Sequence, residues 1–137
     1  MSLLSRKGLL AITAVVDIAL HAHIRPVSAK ALAARNTLPP RHLEPVLQAL
    51  VREGILKGIR GPRGGYALAR ERQRITAEDI LRAAESLDDG DDPPIPDSPL
   101  LLRAVLPAVA QAEQEFAAAL ARINVEDLAV RAAAASQ

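Results

Sequence analysis

The sequence predicts a mainly α-helical protein with one small β-hairpin. Half of its residues are hydrophobic, but alanine and leucine supply most of them and aromatic residues make up only 1%. That composition favours packed helices over a β-sandwich. Apolar residues recur at helical spacing along most of the chain, whereas a glycine-rich stretch, residues 61–65, separates two short β-prone runs.

The first predicted helix spans residues 4–21, with Ser5 as its N-cap. Arg6 and Lys7 lie in its first turn, where the helix dipole disfavours cations and a nearby phosphate would offset the cost. Two solvated charges are the simpler alternative. The apolar face of this helix is predicted to contain Leu9, Ile12, Val16 and Leu20.

A helix-turn-helix is predicted next. Ser28 caps a short helix that ends at Ala33 or Arg35, residues 36–38 form the turn, and Pro39 or Pro40 opens a third helix that Gly54 ends. Arg41 and His42, at the front of the third helix, would face a major groove of DNA. The buried face of the third helix would contain Leu43, Val46, Leu47, Leu50 and Val51.

Pro45 conflicts with a helix that begins at Pro40, because a proline past the first turn removes a backbone hydrogen bond and clashes with the preceding turn. Either the regular helix begins near Arg41 or the helix is kinked at Pro45. We favour the later start.

A β-hairpin with strands at residues 55–60 and 66–69 follows directly and would form the wing of a winged helix. Its tip carries Arg60 and Arg63, which could contact a phosphate backbone or a narrow minor groove. An ordinary surface hairpin is the alternative. A fourth helix is predicted after Thr76, its cap, with Glu78 and Asp79 in the first turn and an inward face of Ile80, Leu81, Ala84 and Leu87.

Residues 88–98 are acidic and proline-rich, which predicts a solvated loop in preference to a cation site. Ser98 and Pro99 then begin a long helix that Pro107 should kink or split. Its apolar stripe is too hydrophobic for a lone helix and predicts a two-fold partner. The residues of this predicted dimer interface are Leu102, Val105, Val109, Ala112, Phe116, Leu120 and Ile123.

Asn124 is predicted to cap a final short helix whose apolar side holds Val125, Leu128 and Val130, with a frayed tail from Ala132. The sequence thus predicts a winged helix-turn-helix domain at residues 1–87, an acidic loop at 88–98 and a helical dimerisation region at 99–137.

The near-neutral formal charge of +1 hides a strong asymmetry. Residues 1–75 contain 13 Lys or Arg against 4 Asp or Glu, a net +9, and residues 76–137 contain 4 against 12, a net −8. A basic N-terminal part of this kind predicts a polyanionic partner such as double-stranded DNA.

Composition also excludes several classes of function. No cysteine is present, which excludes disulfides, thiolate metal sites and cysteine nucleophiles. Three histidines, His21, His23 and His42, are too few and too scattered for acid–base catalysis, and we expect no enzyme, metal or cofactor. No apolar run could span a bilayer and no signal-peptide pattern is present, which predicts a cytoplasmic protein.

The order of motifs resembles the Rrf2 family of bacterial winged-helix transcription regulators, the group that contains iron–sulfur and nitric-oxide-responsive repressors. The wing carries the most specific part of the resemblance. The matching stretches are LSRKG at 4–8 and DIALH at 17–21, PVS at 26–28 with LEPVLQAL at 43–50, RGPRGGYALA at 60–69 and ITAEDI at 75–80, with a weaker match of NVEDL at 124–128.

The resemblance implies a homodimer that binds a pseudo-palindromic operator, most often as a repressor. It implies that Arg6 and Lys7 contact phosphate, that Ser28 anchors the second helix and that Arg41 and His42 read the major groove. Arg60, Arg63 and Gly64 would form the wing contact.

The chain departs from the family in residues 88–103, where cluster-binding members place cysteines and this sequence has none. An iron–sulfur cluster held by cysteines is therefore excluded. Two alternatives remain open at this point. One is a winged-helix module that binds another protein and no DNA, and the other is a DNA-binding regulator that also senses a small organic effector.

Overall fold

The computed structural model describes residues 5–86 and 98–135, apart from the side chain of Leu101. This part of the chain is mostly helical, with one antiparallel two-stranded sheet. A short 3₁₀ turn covers Arg72–Arg74, and a π-helical segment covers Leu101–Val105. The remaining elements are α1 Arg6–His21, α2 Ala29–Asn36, α3 Pro40–Arg52, β1 Leu56–Ile59, β2 Gly65–Leu68, α4 Ala77–Glu85, α5 Leu106–Ala121 and α6 Val125–Ala135.

Serine caps begin the first two helices, as predicted. The Ser5 hydroxyl oxygen accepts a hydrogen bond from the Gly8 N–H at 3.0 Å, and Ser28 accepts one from the Ala31 N–H at 3.1 Å. Each cap satisfies a donor that the first helical turn leaves without a partner. The left-handed Thr37, with φ of 54°, ends α2 and turns the chain towards α3.

The predicted late start of α3 is wrong, because the helix begins at Pro40 and contains Pro45 in its interior. The Pro39 carbonyl accepts hydrogen bonds from the N–H groups of both His42 and Leu43, each at 3.2 Å. These bonds close the first helical turn, which therefore starts before Arg41. Pro45 removes one backbone donor. The buried side chains of this helix stabilise it in spite of that loss; they are Leu43, Val46, Leu47, Ala49 and Leu50.

Gly54 links α3 to the wing. Its φ of +76° places it in the left-handed region, its N–H donates to the Val51 carbonyl, and the Ile55 N–H donates to the Leu50 carbonyl, each at 3.0 Å. This pair of hydrogen bonds is a Schellman motif, in which glycine is the favoured residue.

The wing is a hairpin in which Leu56 pairs with Leu68 and Ile59 pairs with Gly65. Its first strand is two residues shorter than predicted, and its second strand begins and ends one residue earlier than predicted. Val27, in the connection between α1 and α2, forms an antiparallel bridge with Tyr66 through two hydrogen bonds of 2.9 and 2.8 Å. The base of the wing is therefore fixed to the helix-turn-helix by backbone hydrogen bonds.

The predicted caps of the last helices are also present. Thr76 and Asp79 form a reciprocal capping box at the start of α4, with hydrogen bonds of 3.0 and 3.1 Å. Asn124 and Asp127 form another before α6, at 2.8 and 3.2 Å. Ile80, Leu81 and Ala84 are buried as predicted, whereas Leu87 and the predicted loop up to residue 97 lie outside the described residues.

The long C-terminal helix changes from π-helical to α-helical just before Pro107. The chain is helical from residue 99, passes through the π-helical segment and becomes α-helical at Leu106, which leaves Pro107 in the first turn of α5. Because Pro107 has no N–H, it leaves a carbonyl of the preceding helical turn without that partner, and the helix type changes just before the proline.

Helix α6 packs on α1, and two backbone hydrogen bonds of 2.8 Å join its start to the segment before α4: Val125 N–H to the Ile75 carbonyl, and Ala77 N–H to the Ile123 carbonyl. Val125 is fully buried in the core. Two details of the predicted C-terminus are wrong, because Val130 is 59% exposed and α6 remains helical through Ala135. The division of the chain into regions at residues 87 and 99 stays a prediction.

Candidate nucleic-acid interface

The residues predicted to contact DNA lie mainly on exposed parts of the winged helix. Arg41 and His42 are exposed in the first turn of α3, and Arg60 and Arg63 are exposed in the wing turn. Arg6 is exposed and Lys7 is half-buried in the first turn of α1.

The structure brings part of this predicted set together. Ser28, Arg63 and Gly64 line one cleft, of about 320 Å³, between the wing turn and the α1–α2 connection. Arg6, Lys7, Arg41, His42 and Arg60 lie outside the lining of this cleft. The sequence analysis missed Arg25, an exposed residue in the same lining. Its position just before the Pro26-Val27-Ser28 motif was the available signal.

Glycine at position 64 fits a tightly packed turn. Its N–H donates to the Gly61 carbonyl at 2.9 Å, and a Cβ added to Gly64 would lie 2.1 Å from the Ile59 carbonyl oxygen. No side chain can occupy that space unless the turn moves. The shape of the wing tip therefore depends on this glycine.

We expect Gly64→Ala to rearrange the wing turn while the helical core stays folded. A direct measurement is the set of backbone amide NMR shifts, which should change throughout residues 59–66 and little in α4. Gly58→Ala, in β1, is the matched control, because an added Cβ there has no neighbour within 4 Å. Unchanged wing shifts in Gly64→Ala would contradict the packing described above.

An ion pair between a buried carboxylate and Arg35, a partly exposed residue in the cleft lining, was not predicted. Asp17, only 5% exposed, accepts two hydrogen bonds from the Arg35 guanidinium, from Nε at 2.9 Å and from Nη2 at 2.8 Å. The Asn36 amide donates to the same carboxylate at 2.7 Å, and the His21 Nδ1 lies 3.5 Å from it. The available signal was an acidic residue among the buried positions of α1, next to Ile18. The network joins α1 to α2.

Burial alone would raise the pKa of Asp17. The hydrogen bonds from Arg35 and Asn36 outweigh that effect, with a smaller contribution from the positive charge of Arg35, and hold the pKa of the carboxyl group below its usual range. Asp17 is therefore ionised at neutral pH and neutralises the charge of Arg35.

The predicted dimer stripe is only partly open to solvent. Leu102, Val105 and Val109 are 43–45% exposed and Ile123 is 37% exposed, values that are high for large apolar side chains. Ala112 is also exposed, whereas Phe116 and Leu120 are half-buried. Val109, Ala112, Phe116 and Leu120 line a groove of about 500 Å³ whose other wall is α4. Part of the stripe thus faces the chain's own α4.

The described residues contain no group of three or more His, Asp or Glu side chains arranged to hold a metal ion. Within the same residues, no helix has the length and apolarity that crossing a bilayer requires.

Comparison with known proteins supports the interpretation of the fold. Residues 4–131 match the profile of the Rrf2 family, described as "Iron-dependent Transcriptional regulator". A protein of Synechocystis sp. named as an HTH-type transcriptional regulator is 36% identical over 130 residues, which cover 91% of this chain and 86% of the relative. The regulator CymR of Bacillus subtilis is 38% identical over 82 residues, which cover 60% of this chain and 59% of CymR.

Solved structures agree with these sequence relatives. The structure of CymR, described as the global cysteine regulator of B. subtilis, superposes with a TM-score of 0.70 at 31% identity and covers 96% of this chain and 98% of that one. The structure of IscR from T. potens superposes with a TM-score of 0.75 at 29% identity, covering 98% and 90%.

The family description mentions iron, but this chain has no residues that could hold a cysteine-ligated iron–sulfur cluster. Such clusters are held by thiolates, and the sequence contains no cysteine. The donor set of this chain does not fit that group.

The order of the helices, the presence of the wing and the extent of these matches all indicate the same family. The chain belongs to the Rrf2 family of winged helix-turn-helix transcriptional regulators.

Proposed function

We propose that this regulator is a cytoplasmic repressor that binds a pseudo-palindromic operator as a homodimer, with no iron–sulfur cluster and no catalytic activity. The observation that carries the proposal is the exposed pair Arg41 and His42 at the N-terminus of α3, in a helix-turn-helix whose wing carries two more exposed arginines. Side chains at this end of a recognition helix meet base edges in the major groove.

Electrostatics support a nucleic-acid partner over a protein partner. The N-terminal 75 residues carry a net charge of +9, and they include α1, the helix-turn-helix and the wing. Contacts with many phosphates release counterions and make binding strongly salt-dependent. A protein-binding module would not need this concentration of positive charge.

The two proposed kinds of contact differ in what they recognise. Arg41 and His42 are assigned to base edges, whereas Arg6 and Lys7, in the first turn of α1, are assigned to the phosphate backbone. Ser28, Arg60, Arg63 and Gly64 are assigned to contacts around the wing. Base contacts determine sequence preference, and phosphate contacts contribute affinity for any duplex.

Selection of bound fragments from genomic DNA would first identify the operator. We then expect Arg41→Ala to weaken operator binding by about 1–3 kcal/mol and to change binding to unrelated DNA much less. Arg6→Ala is the comparison variant. It should weaken binding to both DNAs by similar factors and reduce the magnitude of the salt slope by roughly 0.9 for each phosphate that is no longer neutralised.

The measurement is titration of both duplexes with each variant over a series of salt concentrations. Equal weakening of operator and unrelated DNA by Arg41→Ala would refute the assignment of α3 as the reading helix. Failure of the wild-type protein to bind any duplex would favour the protein-binding alternative.

A further inference from the structure

The cleft between the wing and the α1–α2 connection has walls that are fixed relative to one another. One wall is the wing turn at Pro62, Arg63 and Gly64, and the other runs from Arg25 to Ser28. The Val27–Tyr66 hydrogen bonds join these walls just behind the cleft. A Cβ at Gly65 would lie 2.4 Å from the Val27 carbonyl oxygen, so the backbones are in close contact there.

The lining of the cleft is basic. Arg25, Arg35, Arg63 and His21 contribute to it, and none of its described lining residues is acidic. The charge of Arg35 is neutralised, because both of its hydrogen bonds to Asp17 are short and the carboxylate is ionised. Arg25 and Arg63 are different: neither forms an ion pair within residues 5–86 and 98–135. Arg25 and Arg63 therefore contribute two positive charges to the cleft, one from each wall.

The chemistry of the cleft matches a phosphate group. Guanidinium groups bind phosphate oxygens through paired, charge-assisted hydrogen bonds. Ser28 accepts its capping hydrogen bond from Ala31 and so retains its hydroxyl proton as a donor. Among the residues that the structure describes, no Phe, Tyr or Trp side chain lines the cleft, and the His21 ring there is held against the backbone oxygen of Asp17 at 2.9 Å, which favours a backbone phosphate over a free nucleotide.

We propose that this cleft binds one backbone phosphate of duplex DNA in each subunit, with Arg25 and Arg63 as its two cationic ligands and Ser28 as a third donor. The inference rests on the proposed function, and it assigns a DNA contact to Arg25, which lies outside both the helix-turn-helix and the wing. It also assigns Arg63 to the phosphate backbone.

Arg25→Ala should weaken binding of operator and unrelated DNA by a similar factor, about tenfold. The magnitude of the salt slope should fall by less than roughly 0.9 per subunit, because Arg63 still neutralises the shared phosphate, and the full fall should require removal of both arginines. Arg52→Ala is the matched control: it removes another exposed arginine, at the opposite end of α3 from Arg41, and should change neither quantity. Because the two cleft arginines share one phosphate, Arg25→Ala and Arg63→Ala should be non-additive when combined.

A second measurement locates the phosphate. Operator duplexes with a single neutral methylphosphonate linkage, moved one position at a time, should show one position in each half-site that weakens binding of the wild-type protein more than binding of Arg25→Ala. Isothermal titration with inorganic phosphate, at constant ionic strength, tests the other source of the same ligand chemistry.

Unaltered DNA affinity and salt slope in Arg25→Ala would overturn this inference alone, provided that the wild type binds DNA. Phosphate binding that depends on Arg25 while DNA affinity does not would also overturn it, in favour of a site for a free anion. Absence of duplex binding by the wild-type protein would overturn the proposed function together with this inference.

Discussion

Replacement of Arg35, which is 37% exposed, by alanine is expected to lower the free energy of unfolding by about 2 kcal/mol at neutral pH. The variant removes the cation from a carboxylate that is 5% exposed and leaves Asp17 with the Asn36 amide and His21 as neighbours. A buried charge that loses its partner is strongly unfavourable. Urea denaturation at a fixed protein concentration measures the change.

Arg52→Ala is the control for this variant, since it removes an exposed arginine from the last turn of a helix and should change stability by less than about 0.5 kcal/mol. Addition of Asp17→Asn to Arg35→Ala should recover part of the loss, because the remaining buried group is then neutral. Equal destabilisation by the two arginine variants would show that the buried pair contributes nothing specific.

The loss in Arg35→Ala should depend on pH in a defined direction. Asp17 has a lowered pKa in the folded protein, so its contribution to stability is present above the unfolded value, about 3.9, and is lost as pH falls through the folded value. The difference in stability between wild type and Arg35→Ala should therefore be largest near neutral pH and shrink below about pH 4. A difference that stays constant down to pH 3 would contradict the lowered pKa.

Val109→Asp is expected to convert the proposed dimer into monomers, through a loss of about 3 kcal/mol or more, which is at least a hundredfold rise in the dimer Kd. Val109 is 45% exposed in the single chain, so an aspartate there remains hydrated in the monomer. In a two-fold interface the same charge is desolvated twice. Sedimentation over a range of concentrations, down to nanomolar, measures the shift.

Gln111→Asp is the control, because Gln111 is exposed on the opposite face of α5 and should leave the dimer intact. Phe116 is a less specific site for this experiment. Val109 and Phe116 both line the groove against α4, but Phe116 is half-buried within the chain, so a charge there would also disturb packing inside the monomer. A Val109→Asp protein whose dimer Kd equals that of the wild type would refute the proposed interface.

Features governed by short-range chemistry were predictable from the sequence. Ser5, Ser28, Thr76 and Asn124 cap the helices that their positions indicated, and Gly54 ends α3. Each depends on residues within five positions in the chain, where the pattern of side chains determines the backbone hydrogen bonds. The order of the elements also followed from the sequence, and the family that this order resembled is confirmed by the matches to known proteins.

Features that depend on distant contacts were not predictable. Asp17 and Arg35 are 18 residues apart, and their ion pair exists because α1 and α2 pack together. At Pro45 the prediction was wrong for the same reason. The rule that proline disfavours a helix interior placed the start of α3 too late, whereas the buried side chains on either side of Pro45 stabilise the helix. Tertiary packing overrides local propensity at both places.

The position of α6 affects how the protein folds while it is being synthesised. Val125, near the start of α6, is fully buried in the hydrophobic core, and α6 packs on α1. During translation the winged helix therefore emerges from the ribosome with one part of its core still missing. The nascent chain completes that core only when α6 follows, so full stability of the basic DNA-binding part requires the acidic part that is synthesised after it.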